Sequence, residues 1–132
     1  MTRINVGIHP RELPDKLLLA EHREITRIPN TVTSGRAKLR DLPKKFTLGA
    51  GHVKFFYSRL GYLSQRYTSL FVECRRRGFQ VTDKSTAFEK TDETSGLFGE
   101  YVETPEDRQI LMERIHLKGF SLLSKVESGE VL

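Results

Sequence analysis

At 132 residues the chain has the size of one compact domain, long enough to bury roughly two-thirds of the surface its unfolded form exposes. With 37% hydrophobic and 30% charged residues it suits a folded, soluble domain and not a disordered chain. No apolar run approaches the roughly 20 residues of a membrane span. The opening Thr2-Arg3-Ile4-Asn5 lacks the charged-then-apolar layout of a secretory signal, and a single cysteine, Cys74, excludes an internal disulfide framework, so a reducing cytoplasmic setting is expected.

The net charge of +5 is unevenly placed. Residues 1–82 hold 16 Lys and Arg against 6 Asp and Glu, a net +10, whereas residues 83–132 hold 6 against 11, a net −5. One domain with a basic first part and an acidic remainder predicts a polyanion-binding face on the first part.

In chain order, Thr2–Val6 reads as short and irregular. From Pro14 to about Ile28, Leu17, Ala20, Glu24 and Ile28 recur at helical spacing, with Pro14 and Asp15 suited to a first turn and Pro29-Asn30 expected to end or bend the helix. Residues 31–46 form a basic, turn-rich connection. After Gly49-Ala50-Gly51-His52 comes the longest periodic stretch: Val53, Phe56, Leu60, Leu63, Tyr67, Leu70 and Cys74 share one helix face, and Gly61 marks a kink or a junction of two helices. Arg75-Arg76-Arg77 complement the C-terminal dipole and Gly78 supplies the cap. A short extended piece is possible at Phe79-Gln80-Val81. Residues 82–99 read as a polar surface loop. Thr104-Pro105-Glu106-Asp107 opens a third helix running to about Gly119. The expectation is an all-α single domain of three main helices joined by long irregular loops.

Several residues carry chemical potential. Thr2 is small enough for Met1 to be removed, which would expose its α-amine. Such an amine has a pKa of about 7.7–8.0 against about 10.4 for lysine, so far more of it is neutral and nucleophilic near pH 7. On the first helix Lys16, Ala20, Arg23 and Arg27 fall on one side, a basic stripe fit to lie on a phosphate backbone. Glu24 borders that stripe, where a carboxylate serves either an ion pair with Arg3, Arg23 or Arg27, or proton transfer and stabilisation of positive charge at a sugar carbon. Gly49–His52 precedes a helix and presents backbone N–H groups to an anion, or only packs closely. His52 itself is read either as a phosphate contact or acid, or as structural. His9, His22, His116 and Cys74 lack metal-ligand spacing, so no metal site is expected.

Four blocks taken together resemble a known family. Thr2-Arg3-Ile4-Asn5, Leu19-Ala20-Glu21-His22-Arg23-Glu24, residues 46–57 (FTLGAGHVKFFY) and Glu73-Cys74-Arg75-Arg76-Arg77-Gly78-Phe79 are similar to the pyrimidine-dimer DNA glycosylases found in bacteriophages. The resemblance implies an all-α fold with the N-terminus threaded between helices. It implies a bifunctional DNA glycosylase and abasic-site lyase, with the Thr2 amine as nucleophile and Glu24 as its carboxylate. Arg3, Arg23 and Arg27 would clamp double-stranded DNA carrying damaged or modified bases, and Lys16, His52 and Lys118 complete the expected DNA-contacting set. It implies no metal or organic cofactor, a monomer, and action in the host cytoplasm if the gene belongs to a phage. Two departures bear on the substrate. Lys16 stands where a glutamine is common, and Ser121-Leu122-Leu123-Ser124-Lys125-Val126-Glu127 lacks the aromatic, basic character of the prototype's end. A glycosylase for another base, or a DNA-binding module without catalysis, are the competing readings.

Overall fold

A computed structural model describes residues 2–123; Met1 and residues 124–132, and with them the end of the departing C-terminal segment, lie outside the described residues. The described chain is all-α: α1 (Asp15–Glu24), α2 (Arg27–Thr33), α3 (His52–Phe55), α4 (Leu60–Arg76) and α5 (Pro105–Leu117), with short 3-10 turns at Pro10–Glu12, Ser85–Phe88 and Ser95–Leu97. Its one bridge joins Arg59 and Phe98, so the extended piece considered at Phe79–Val81 pairs with no strand. No described helix is long and apolar enough to cross a membrane.

The expected first helix is two helices. Pro29 has no N–H to give the Ile25 carbonyl, which takes Ile28 N instead at 3.4 Å. The ladder is interrupted there, one turn before the proline, and helix then continues through Pro29 to Thr33. The long apolar stretch is likewise divided, near Gly61. A Cβ on Gly61 would lie 2.8 Å from the Phe98 carbonyl, and one on Gly99 would lie 2.5 Å from the Ser58 carbonyl. Two backbones meet at these glycines, joined by Gly99 N to Ser58 O and Tyr62 N to Gly99 O, each 3.1 Å. Helix α4 then buries Leu60, Leu63, Tyr67, Leu70 and Cys74 and packs on α1.

The helix ends follow the sequence signals. Gly78 has φ +89°, and Phe79 N reaches back to Cys74 O at 2.9 Å. Thr104 Oγ1 accepts from Asp107 N at 3.0 Å, with Pro105 in the first turn. The arginines at the end of α4 do more than meet a dipole. Arg76 and Arg77 both bond the buried Glu73, and Arg77 also bonds Asp15 at 2.9 Å and the Pro10 carbonyl at 3.1 Å. The connection after α4 is not an unattached loop, because it buries Phe88 against Tyr67.

Candidate active site

The site is built on residues 2–13. Ile4, Val6, Ile8 and Leu13 are all 0% exposed, so this irregular segment lies in the core itself. Its polar groups need partners there, and side chains from four helices provide them. His52 on α3 accepts the Ile4 N–H at 2.9 Å. Arg66 on α4 donates to the Ile8 carbonyl at 3.0 Å, and Arg108 on α5 donates to the Gly7 carbonyl at 2.7 Å. On α1, Glu21 accepts from the Asn5 side chain at 2.7 Å and pairs through both oxygens with Arg66. Burial alone would lower the Arg66 pKa, but the Glu21 carboxylate overcomes it and drives the pKa above its ordinary value. The N-terminus is thus threaded between helices and held until Ile4.

Two clefts open beside its first residues. One, of about 380 Å³, is lined by Thr2, Arg3, Gly49, Ala50, His52 and Lys54. The other, of about 180 Å³, is lined by Arg3, Ala20, Glu24, Arg114, Lys118 and Phe120, among others. Arg3 belongs to both walls. Burial lowers its pKa, and the neighbouring Arg114 cation lowers it further. Two cations held beside each other, with Arg114 Nε buried and making no hydrogen bond, form a site that favours an anion.

Of the expected residues, Thr2 and Arg3 share the first cleft with His52, while Arg3, Glu24 and Lys118 share the second. Glu24 is mostly buried. Among the described residues it pairs with the exposed Arg23, at 3.4 Å, a solvent-facing contact worth at most about 1 kcal/mol. Arg23 and Arg27 are exposed but sit on separate helices. Lys16 is exposed, its ammonium 5.9 Å from the centre of the Phe120 ring. His52 departs from the phosphate-contact reading. It is 3% exposed, and its two ring nitrogens are spent on Ile4 N and the Thr47 carbonyl. Gly51, in the glycine motif before it, packs closely on Pro43 and Thr47, whose side chains a Cβ would meet at 3.2 and 3.0 Å. The described residues hold no group of three or more His, Cys, Asp or Glu placed to bind a metal.

Sequence reasoning missed Asn5, Glu21, Arg66 and Arg114. A signal was present for two of them. Glu21 falls between Leu18 and Ile25, and Arg66 between Leu63 and Leu70, so each charge sits in an apolar stripe, a position that demands a buried partner.

A family model for pyrimidine dimer DNA glycosylase matches residues 1–87. The chain belongs to that family. It is therefore a DNA-repair glycosylase, and DNA is its partner. The matched region of this glycosylase contains the threaded segment, α1 to α4 and the whole of the cleft around Thr2. The cleft around Glu24 is completed from outside the match, by Arg114, Ile115, Lys118 and Phe120 of α5 and its end.

Proposed function

We propose that this glycosylase excises pyrimidine dimers and then cuts the strand, through an imine formed by the α-amine of Thr2 once Met1 is removed. The amine attacks C1′ of the damaged nucleotide and the N-glycosidic bond breaks, the base leaving with the bonding pair. Loss of an amine proton and opening of the sugar give the imine. Removal of a C2′ proton then expels the 3′ phosphate by β-elimination. Glu24 steadies the positive charge that develops at C1′ and moves protons in these steps. Arg3, with Arg114 and Lys118, holds phosphates of the distorted duplex, and Arg23, Arg27 and Lys16 extend the contact.

One observation carries this chemistry: Arg3 walls both the cleft that contains Thr2 and the cleft that contains Glu24, so the amine-bearing residue and the carboxylate flank one cation. The test is borohydride reduction during reaction with an abasic-site duplex, with the adduct mapped by mass spectrometry. An adduct on the Thr2 amine is expected. No adduct, in a protein that still cuts, removes the imine. Glu24→Gln is expected to lower strand cleavage by about a hundredfold or more while duplex affinity is retained; cleavage at the full rate would take Glu24 out of the mechanism. Lys16 beside Phe120 at the Glu24 cleft favours a second reading, a base other than a pyrimidine dimer, and a panel of lesion-bearing duplexes separates the two.

A further inference from the structure

We propose that His52 is a positioning residue of this reaction: its neutral imidazole clamps the backbone two residues from the attacking amine and so sets where that amine points. This role presupposes the imine chemistry of Thr2.

The clamp is defined by its bonds. Nε2 accepts the Ile4 N–H at 2.9 Å, which leaves the ring proton on Nδ1, and Nδ1 donates it to the Thr47 carbonyl at 2.9 Å. Only this tautomer of the neutral ring makes both bonds. Phe46 and Phe56 hold the ring edge-on, each with its centroid 5.4 Å away, so the ring is fixed in orientation as well. The ring also lines the cleft that Thr2 and Arg3 line. The chain advances at most about 3.3–3.6 Å per residue, so an amine two residues beyond a loose anchor would sweep a radius of about 7 Å. An amine two residues beyond a fixed anchor samples far less, and attack on a sugar carbon requires that restriction, since a 1 Å misplacement costs about a hundredfold in rate.

Protonation undoes the clamp. A proton on Nε2 would face the Ile4 N–H, and that bond would be lost. The surroundings resist it. Burial keeps the His52 pKa below its ordinary value and the Arg3 cation adds to this, against the Thr47 bond and the Glu21 carboxylate, which favour the charged ring.

The decisive comparison is His52→Leu with His52→Gln in the full chain. Cleavage of an abasic-site duplex is followed under single-turnover conditions at saturating enzyme, duplex affinity is measured separately, and borohydride trapping at Thr2 is scored for each protein. Leucine fills the space and offers no acceptor, whereas the glutamine amide offers an oxygen to the Ile4 N–H. His52→Leu is expected to lower the saturated rate about tenfold or more with affinity kept within about twofold, and His52→Gln to restore it to within about threefold. The pH profile adds a readout that a merely structural role leaves unmoved. In the unsubstituted enzyme the rate falls first as the amine protonates and then more steeply as His52 takes its proton, and His52→Gln removes the second fall. A wild-type rate for His52→Leu, or a second fall that survives in His52→Gln, overturns the role. Where His52→Leu does not fold, the glutamine profile decides alone. The failures are distinguishable: no adduct at Thr2 in the unsubstituted protein removes the imine chemistry, whereas equal trapping with and without His52 removes only the clamp.

Discussion

Two of the stretches of this glycosylase that lack long regular structure are held in different ways. Residues 4–13 are mostly buried, and their polar groups are met by His52, Glu21, Arg66 and Arg108, side chains from four helices. Residues 82–103 are mostly exposed and close largely on themselves, through turns such as Ala87 N to Lys84 O at 3.1 Å, Ser95 N to Thr91 O at 2.9 Å and Thr94 N to Thr91 Oγ1 at 3.2 Å. They meet the body through Phe88 and Lys84 on Tyr67, Gly99 between Ser58 and Tyr62, Tyr101 edge-on to Phe55 and Tyr62, and Glu103, which accepts from the Tyr62 hydroxyl at 2.6 Å. What makes irregular backbone rigid is therefore the source of its hydrogen-bond partners and not its regularity. The segment that bears the proposed nucleophile is fixed by side chains from four helices, whereas the connection is held by its own turns and by contacts that reach α3 and α4.

The sharpest way to break this contrast is Arg66→Ala. Replacing an entire buried ion pair with apolar residues is often nearly neutral, but removing one partner leaves the other charge stranded. Here the stranded group is Glu21, 2% exposed, and the Ile8 carbonyl loses its donor at the same time. A loss of about 3–5 kcal/mol is expected in urea unfolding. A loss below about 1 kcal/mol, the scale of an exposed pair, would mean that the threaded segment is not held through this network.

Gly99→Ala tests the other stretch. The new methyl would meet the Ser58 carbonyl, which belongs to backbone and cannot swing away, so the connection must shift from α4. A loss of about 1–3 kcal/mol is expected, with amide exchange quickened at Tyr62 and across residues 95–103. Exchange quickened equally at Ile4 would show that the two stretches are not independent.

The sequence made the helices legible because their signals are local. Helical spacing of apolar residues, Thr104-Pro105 at a start and Gly78 at an end need no knowledge of the rest of the chain. Pro29 was read correctly as a disruption, but the break fell a turn earlier, at the Ile25 carbonyl that Pro29 has no N–H to serve. The interior was less legible because it is held by distant pairs. Asn5 and Glu21 are 16 residues apart, Glu21 and Arg66 are 45 apart, and Glu12 and Arg108 are 96 apart. No periodicity announces such pairs, although a charge inside an apolar stripe announces that a partner exists. The Thr2 and Glu24 clefts were similarly split: the residues of the first half of the chain could be nominated one by one, but Arg114 enters the Glu24 cleft only through the way α5 docks.

The smallest expected effect concerns pH, and it links the two stretches to one histidine each. His52 bonds Ile4 N in the threaded segment. His22 Nε2 lies 3.1 Å from the Tyr67 hydroxyl, which accepts Lys84 N at 2.7 Å and so ties the connection to α4. Both histidines have folded pKa values below the ordinary one, chiefly from burial, with Arg3 adding to it at His52 and Lys84 at His22. Well above about pH 6.5 both are neutral in the folded and the unfolded chain, and neither makes stability depend on pH. As pH falls through that value, the unfolded chain takes up protons that the folded chain refuses, so stability declines until the folded groups protonate as well. Glu73 acts lower on the scale. Its burial favours the neutral acid, but bonds from Arg76 and Arg77 prevail and lower its pKa, so its contribution fades only as pH falls from the ordinary carboxylate value towards its lowered one. A fall in Tm of a few degrees between about pH 6.5 and 5 therefore belongs to the histidines. His52→Gln should flatten one part of that slope and His22→Gln the other, the first restoring slow exchange at Ile4 in acid and the second at Lys84. If either substitution alone abolished the whole slope, the two stretches would share one titrating anchor and the contrast between them would fail.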